Sequence, residues 1–349
     1  MEKRDIVVMG ASTGGIEALQ VLVEDLPRDF AGAIFVVLHT AAQSPNFLGS
    51  ILDQAGPLPA AIAKDREEIK PGRIYVAPAD HHLVFDEKGL VRTTRGPKEN
   101  RVRPAIDPLF RSAAHAYGPR VIGVVLTGLL DDGTAGLWAI KEQGGTAIVQ
   151  NPEEAPAPSM PLSALKHVEV DHILNLTEIA PCLGKMVGTP PLKKGVRRVT
   201  KEMEAEVKIA REDSALANGI LEWGEPSVYA CPECHGVLMQ LKEGSNFRFR
   251  CHTGHAYSVE TLMAEFSEKS EETLWNAIRA IEELVILMNR MAQQFEEHNH
   301  GEAALALKKK ADEAHERSEQ VRAIVMHHKK VRESELSKSG KNEPAVKPD

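Results

Sequence analysis

The sequence predicts an α/β fold in which a doubly wound, mainly parallel sheet is followed by a small cysteine-rich ribbon and a helical hairpin. Short apolar runs alternate with helical patterns up to about residue 187. Cysteines and histidines then cluster between 228 and 257, and apolar residues at 4-3-4-3 spacing run from about 269 to 328. A chain of 349 residues has room for a full hydrophobic core and for more than one domain.

The predicted sheet is built from apolar runs that are bounded by glycine, proline or polar residues. Runs of this kind suit parallel strands that are covered by helices on both faces. Strands are expected at 6–9, 33–38, 73–77, 121–126 and 146–149, and helices at about 14–25, 45–55, 107–117 and 134–142. A hairpin over 83–92 is expected at an edge of the sheet.

Shifts in composition divide the chain into five parts. Residues 1–188 hold the sheet, and 189–227 form a linker, marked by Pro190-Pro191, with a charged helical stretch at 200–217. The ribbon occupies 228–260, and the helical hairpin, with its turn at 298–301, occupies 265–332. Residues 333–349 are polar, so we expect a disordered tail.

Composition indicates a cytoplasmic protein. The net charge of -8 argues against nucleic acid as a partner, which would favour a basic face. The N-terminus lacks an apolar signal-peptide region, and no apolar run approaches the ~20 residues that span a bilayer, so we do not expect a membrane protein. Four cysteines, three of them clustered, fit a reducing compartment and a metal site better than a disulfide framework.

Ser12 is a candidate nucleophile. It lies in the run Gly10-Ala11-Ser12-Thr13-Gly14-Gly15, a G-x-S-x-G pattern directly behind the first apolar strand. The glycines permit a sharp strand-to-helix turn and let a substrate approach the hydroxyl. Two other interpretations are an N-cap serine and a dinucleotide-binding loop, although the second would need a glycine where Ser12 stands.

Two further polar residues follow predicted strands. His39 comes after the run 33–38, and Asp132 lies in the turn after 121–126. Because the carboxyl ends of parallel strands share one edge of the sheet, we expect both side chains near Ser12. The three side chains would form a catalytic triad. In it the imidazole acts as the base for the hydroxyl, and the carboxylate orients the imidazole. Taken singly, His39 is also explained as a strand-end histidine and Asp132 as a helix N-cap.

Several separate blocks, in a fixed order, extend this pattern over most of a domain. Besides the glycine run and His39, they are Pro71-Gly72-Arg73-Ile74-Tyr75-Val76-Ala77-Pro78 with His82-Leu83, Arg103-Pro104-Ala105-Ile106-Asp107-Pro108-Leu109-Phe110, Leu126-Thr127-Gly128 with Asp132-Gly133, and Ser159-Met160-Pro161. In these blocks residues 5 to about 185 resemble the catalytic domain of chemotaxis protein-glutamate methylesterases, the CheB type.

The resemblance implies a serine hydrolase with Ser12 as nucleophile, His39 as general base and then acid, and Asp132 as orienting carboxylate. The backbone N–H groups of Thr13 and Gly14 would hold the oxyanion. The implied reaction removes methyl esters from glutamate residues of chemoreceptor-like signalling proteins without a catalytic cofactor, and related enzymes also deamidate glutamine. A methylated chemoreceptor is therefore the expected partner. The alternative is a catalytically inactive esterase fold that serves as a regulatory or interaction module.

The chain departs from the usual form of this family. No receiver domain precedes Ser12, so we expect no control by aspartyl phosphorylation within the chain. The loop before Asp132 reads Gly128-Leu129-Leu130-Asp131, where the family commonly has Gly-Met-Gly-Asn. Of the two adjacent aspartates, we expect Asp132 in the triad because Gly133 follows it. A long C-terminal extension is the third departure.

The C-terminal extension contains a predicted structural zinc site, formed by a C-x₂-C pair and, sixteen residues later, a C-x₃-H pair. The expected ligands are Cys231, Cys234, Cys251 and His255. Three thiolates and one imidazole complete a tetrahedron around Zn²⁺ and leave no position for water. His235 and His252 are alternative fourth ligands, and free buried thiols are the alternative to a metal. Cys182 is expected to be a core residue.

The two predicted C-terminal helices carry apolar stripes. Stripes of this width fit mutual packing of the helices or a homodimer that forms through them. The charged faces are expected to be solvated surface.

Overall fold

The computed structural model describes residues 3–191, 199–212, 214–243 and 246–339. Its contacts divide the chain into two compact units, residues 1–263 and 264–349. Within the described ranges, no helix has both the length and the apolar character that crossing a bilayer requires.

The first unit is built on a seven-stranded sheet with an added hairpin. The strands are β1 (Ile6–Ala11), β2 (Ala33–Leu38), β3 (Ala60–Ile62), β4 (Ile74–Val76), β5 (His82–Phe85), β6 (Val91–Thr94), β7 (Val121–Val125), β8 (Thr146–Gln150) and β9 (His172–Leu174). The sheet has the order β3-β4-β2-β1-β7-β8-β9, and every neighbouring pair in it is parallel. The predicted α/β fold with a mainly parallel sheet is therefore confirmed.

Helices cover both faces of this sheet. They are α1 (Gly15–Glu24), α2 (Leu48–Ala55), α3 (Ile106–Tyr117), α4 (Thr134–Glu142), α5 (Ser159–His167) and α6 (Leu176–Met186). Val7 and Met9 of β1 point into the core beneath α1, α2 and α6, whereas Ile6 and Val8 point into the core beneath α3, α4 and α5. Burial on both faces explains why β1 reads as a continuous apolar run.

The short strands and the hairpin differ from the sequence prediction. Strands β3 and β9 have three residues each and lie at the two edges, where there is little apolar sequence to reveal them. The hairpin β5–β6 forms, but the prediction that it lies at a sheet edge is wrong, because it pairs only with itself. All four residues of β5 are buried, and Phe85 packs edge-on against Phe35 of β2 with centroids 4.7 Å apart. An apolar hairpin of this kind is stabilised on the face of the sheet, where both of its sides are covered.

The remainder of the first unit follows the linker. Helix α7 (Lys201–Ala210) lies in the predicted linker region, and the hydroxyl of Thr200 caps it by accepting from Met203 N at 3.2 Å. Strands β10 (Glu225–Ala230), β11 (Val237–Glu243), β12 (Asn246–Cys251) and β13 (Ala256–Ser258) then form a four-stranded antiparallel sheet. We call residues 225–263 the C-terminal module.

The second unit is helical. Helix α8 (Val259–Glu297) begins in the first unit and continues into the second, where α9 (Gly301–Ser339) follows the short turn at 298–300. Ion pairs of Glu296 with Lys308 and of Glu282 with Arg322 show that the two helices run antiparallel. Helix α9 continues to residue 339, and residues 340–349 lie outside the described residues. The disordered tail over 333–349 stays a prediction. The homodimer stays a prediction.

A buried cluster of five charges joins the C-terminal module to the domain that is built on the seven-stranded sheet. We call this domain, residues 3–188, the main domain. Glu99 pairs with Arg250 (2.7 Å), Arg248 (3.0 Å) and Arg111 (3.2 Å), and Glu206 of α7 pairs with Arg111 (2.8 Å) and also with Arg250 and Arg248. None of the five residues is more than 5% exposed. Burial raises the pKa of Glu206, but the three guanidinium groups outweigh it and hold the pKa below its usual value.

We expect Glu206→Gln to lower the free energy of unfolding by about 3–5 kcal/mol at neutral pH, because it leaves buried guanidinium charge uncompensated. A depressed folded-state pKa contributes stability above the unfolded value, here about 4.5, that is lost as the pH falls through the folded value. The wild-type stability should therefore fall steeply in acid, and that of Glu206→Gln should fall less. Urea unfolding between pH 3 and 7, roughly the range in which carboxylates titrate, measures both effects. The exposed Glu204→Gln on the same helix is the control; if both variants behave alike, the charge cluster does not contribute to stability.

Candidate active site

Ser12 lies at the carboxyl end of β1, in the turn that leads into α1. Its backbone N–H donates to Thr127 O (2.9 Å), and its carbonyl accepts from Gly15 N (2.8 Å), so the turn is fixed on both sides. Gly14 has a φ of 74°, in the left-handed region where a side chain would be strained. The half-buried Ser12 side chain thus lies at the amino end of a helix, on a backbone with little freedom.

The structure brings the three predicted triad residues together. His39 Nδ1 lies 3.1 Å from Ser12 Oγ, and His39 Nε2 lies 2.7 Å from Asp132 Oδ2. The three residues follow β1, β2 and β7, which are adjacent in the sheet, so their carboxyl ends share one edge. This geometry allows a proton to pass from the hydroxyl to the imidazole while the carboxylate holds the ring.

Asp132 is surrounded by hydrogen-bond donors. Besides His39, the Ile106 N–H donates to Oδ2 at 2.7 Å, and Asn100 Nδ2 donates to Oδ1 at 2.9 Å. Burial raises the pKa of Asp132, but the hydrogen bond and charge of His39, together with the other donors, lower it below its usual value. An ionised Asp132 accepts from Nε2–H, which leaves Nδ1 as the acceptor for the proton of Ser12.

Asp131 has a different environment. Its Oδ1 accepts from Ser258 Oγ at 2.8 Å, on the side of the C-terminal module. Burial and the nearby negative charge of Glu260 raise its pKa well above the usual value. The geometry therefore favours Asp132 over Asp131 as the partner of His39.

Two further buried residues, which the sequence did not single out as site residues, contact Asp132. Asp107, at the start of α3, accepts from Gly136 N (2.6 Å) and Gly133 N (3.1 Å), which ties α3 to the turn that carries Asp132. Burial and the charge of Asp132 raise the pKa of Asp107 to about 7. Asn100 donates to both Asp107 Oδ2 and Asp132 Oδ1 at 2.9 Å. Asp107 lies in the sequence block that begins at Arg103, whereas no motif or periodic pattern around Asn100 indicated a role for it.

The backbone at Thr13 and Gly14 supplies free donors. Over the described ranges of the chain, neither N–H has a hydrogen-bond acceptor. Thr127 Oγ1 donates to Thr13 O at 2.9 Å and holds this peptide in place. Two unpaired N–H groups beside a nucleophile are the arrangement that an oxyanion requires.

Gly128 packs closely against Ser12. A Cβ at this position would lie 2.1 Å from Met160 Sδ and 2.8 Å from Ser12 Cβ. Met160 is fully buried, so it has little room to move. Only glycine lets the loop after β7 approach Ser12 this closely.

The C-terminal module holds a second group of chemically important residues. One potential ligand atom from each of the residues Cys231, Cys234, Cys251 and His255 lies within 4.8 Å of the others. The Sγ atoms of Cys234 and Cys251 are 3.6 Å apart, and His255 Nδ1 is 3.6 Å from Cys251 Sγ. Tetrahedral Zn²⁺ with Zn–S bonds of about 2.3 Å would place sulfur atoms about 3.8 Å apart. The predicted ligands therefore have the spacing of a closed metal site; among the described residues, His235 and His252 are not in the group.

Comparison with known proteins supports one assignment. Residues 7–183 match the family model of the CheB methylesterase. A relative from Leptospira interrogans is 39% identical over 176 residues, which cover 50% of this chain and 91% of the relative. The protein-glutamate methylesterase/protein-glutamine glutaminase 1 of Rhodospirillum rubrum is 38% identical over 184 residues, but the match spans only 48% of its length.

A solved structure resembles the same region. The crystal structure of the Thermotoga maritima CheB methylesterase catalytic domain aligns with a TM-score of 0.51 and 36% sequence identity. The alignment covers all of that domain and 54% of this chain. The matched region holds Ser12, His39 and Asp132, whereas the C-terminal module lies beyond the match to the family model.

We expect Gly128→Ala to slow the reaction of Ser12 with a fluorophosphonate by about 10²-fold, because the added methyl group displaces the serine. A fluorophosphonate phosphonylates an activated serine hydroxyl with loss of fluoride, so its rate reports the state of Ser12. Gly184→Ala is the matched control, since its Cβ would meet Pro27 at an ordinary 3.5 Å. A wild-type rate in Gly128→Ala would show that the close approach is not needed.

Proposed function

Because the chain belongs to the CheB methylesterase family, we propose that it hydrolyses the γ-methyl esters of glutamate residues in chemoreceptor-like signalling proteins. The observation that carries the proposal is the chain of hydrogen bonds that links Ser12, His39 and Asp132, all of which lie in the matched region. The inactive-scaffold alternative would leave no reason for a buried, ionised Asp132 to hold the imidazole against Ser12.

The proposed reaction is a two-step acyl transfer. Ser12 Oγ attacks the ester carbonyl carbon while His39 Nδ1 accepts its proton, and the Thr13 and Gly14 N–H groups hold the oxyanion. The intermediate collapses when His39 returns the proton to the methoxy oxygen, so that methanol leaves and an acyl-serine remains. Water then attacks the acyl-serine by the same route and releases the glutamate carboxylate and the Ser12 hydroxyl. Asp132 keeps the imidazole oriented and stabilises it while it is protonated.

The same residues suit the deamidation of glutamine. A γ-amide would pass through the same acyl-serine, with ammonia in place of methanol as the leaving group. The Rhodospirillum rubrum relative carries both activities in its name. We propose deamidation as a second activity of this site.

The C-terminal module is proposed to hold one structural Zn²⁺. Three thiolates and one imidazole fill a tetrahedron, so bound zinc would join the two ligand pairs and leave no position for substrate. Zinc-ligating thiols must be reduced, which supports a cytoplasmic location. The reaction of the main domain needs no cofactor in this scheme.

We expect Ser12→Ala to lower methanol release from a methylated chemoreceptor fragment by at least about 10³-fold, since the acyl-enzyme cannot form. Gas chromatography of methanol measures the release, and circular dichroism shows that the variant is folded. Cys182→Ser, a change in α6 away from the triad, is the control. Equal release by the wild type and Ser12→Ala would contradict the mechanism, and no release by either would favour the inactive-scaffold alternative.

We expect protein purified without a chelator to contain one zinc ion per chain, measured by atomic absorption. Cys234→Ser and His255→Ala should each lose most of it, because three ligands hold the ion far more weakly than four. Cys182→Ser again serves as the control, since it also removes one thiol. Wild-type protein without bound metal would contradict the site.

A further inference from the structure

The C-terminal module pairs with the main domain through a short piece of backbone. Asn100 N donates to Ala256 O at 2.9 Å, and Ala256 N donates to Lys98 O at 3.2 Å. Residues 98–100 thus run beside the edge strand β13, where Glu99 forms an isolated parallel bridge with Ala256. This segment belongs to the main domain, and it carries the Asn100 side chain to the buried carboxylates.

The Asn100 amide is held at both ends. Its Nδ2 donates to Asp132 Oδ1 and to Asp107 Oδ2, both at 2.9 Å. Its Oδ1 accepts from Ser258 N (3.2 Å) and from Thr261 Oγ1 (3.3 Å), which belong to the C-terminal module. The ionised Asp132 can only accept, and the Ser258 N–H can only donate, so one orientation of the amide satisfies both of these partners. The donors of the module therefore keep the NH₂ group of Asn100 directed at the carboxylate that orients His39.

The backbone at this segment needs support from its surroundings. Asn100 and Arg101 have φ values of 50° and 75°, in the left-handed region that non-glycine residues adopt rarely. Asparagine tolerates this conformation better than arginine does. Such a conformation persists where neighbouring structure holds it, and the hydrogen bonds to Ala256 supply that hold.

The proposed metal ligands are direct chain neighbours of these contacts. Cys251 follows Arg250, which pairs with Glu99, and His255 precedes Ala256, which pairs with Lys98 and Asn100. Closing the metal site would fix the backbone at Cys251 and His255 and, with it, both contacts. The side chains of the two ligand pairs approach each other at Cys234 Sγ–Cys251 Sγ (3.6 Å) and Cys231 Sγ–His255 Nδ1 (3.7 Å), which are long contacts that a bound ion would replace with shorter bonds to the metal.

We propose that the C-terminal module positions Asp132 through Asn100, so that metal in the module controls the reactivity of Ser12. Asn100 acts as a positioning residue, because it acts through its hydrogen bond to Asp132, which in turn bonds His39. This inference rests on the proposed function, which it deepens by assigning a means of control to the same site. The module lies beyond the region that matches the family model.

The first test removes the amide. Asn100→Ala should lower kcat by about 10- to 100-fold, the value of one hydrogen bond to a charged group, and leave KM unchanged. Asn100→Asp keeps the shape but loses the donor, so it should be no more active than Asn100→Ala. Wild-type kcat in Asn100→Asp would overturn the proposal. A rise in KM with kcat unchanged would do the same, since it would place Asn100 in substrate binding.

The second test asks whether the metal acts through Asn100. Zinc is removed from the full chain with a chelator, and the rate at which a fluorophosphonate labels Ser12 is measured in the wild type and in Asn100→Ala. We expect removal to slow the wild type by at least about tenfold and Asn100→Ala by less than about twofold, with recovery on adding Zn²⁺ alone. Equal slowing of both proteins, as simple unfolding would cause, overturns the proposal, as does a wild-type rate that metal removal leaves unchanged.

A milder variant keeps the test independent of metal loss. Thr261→Val removes one donor to Asn100 and keeps the proposed ligands. Introduced into the wild type, it should slow the labelling of Ser12; introduced into Asn100→Ala, it should leave the labelling rate unchanged. Ser227→Ala, on strand β10 of the same module, is the matched control. Additive effects of Thr261→Val and Asn100→Ala would overturn the proposal. Labelling does not depend on the natural substrate, so labelled wild type that releases no methanol would contradict the proposed function alone.

Discussion

The site depends on one buried carboxylate being kept ionised. Asp132 is 2% exposed, and an isolated charge at such a depth would take up a proton. Donors from separate parts of the chain prevent this: His39 after β2, the first turn of α3 and Asn100 before it. Each of these donors also fixes the carboxylate in position, so the interaction that lowers its pKa is the same one that orients the imidazole. In the proposed mechanism, Ser12 is the last member of this chain of contacts.

The triad could be predicted from sequence because its determinants are local. Ser12 and His39 directly follow apolar strands, Asp132 lies in the loop after a third, and a parallel sheet brings the carboxyl ends of its strands to one edge. The order β2-β1-β7 then places His39 and Asp132 on either side of Ser12. The glycines at 14 and 128 are explained by a positive φ and by close packing, and both lie in blocks that the sequence made conspicuous. Asn100 could not be found in this way, because its role comes from partners 32 and 158 residues away in sequence.

The burial of Arg248 and Arg250 could not be predicted from the sequence either, and the reason is physical. Strand β12 alternates Phe247, Arg248, Phe249 and Arg250, a pattern that normally puts arginine in water and the aromatic residues in a core. Here Arg248 and Arg250 are 5% and 1% exposed, because the face they occupy is covered by the main domain. Their charge is compensated by Glu99 and by Glu206, which is 44 residues from Arg250. A periodic pattern shows which residues share a face, but it does not show what covers that face.

This distribution of charge also shows how the C-terminal module contacts the residues around Asp132 while its proposed metal ligands stay apart from Ser12. A metal held by the four proposed ligands would have no open position, so any influence on Ser12 would be transmitted through the backbone that the ligands hold. The five-charge cluster fixes where the module sits, since charges of this kind are stable in the interior only when all partners are present. The pairing of 98–100 with β13 then determines where the Asn100 amide points. A contact that requires both donor and acceptor ends of one amide is sensitive to small displacements, because neither end can be lost without leaving a buried polar group unpaired.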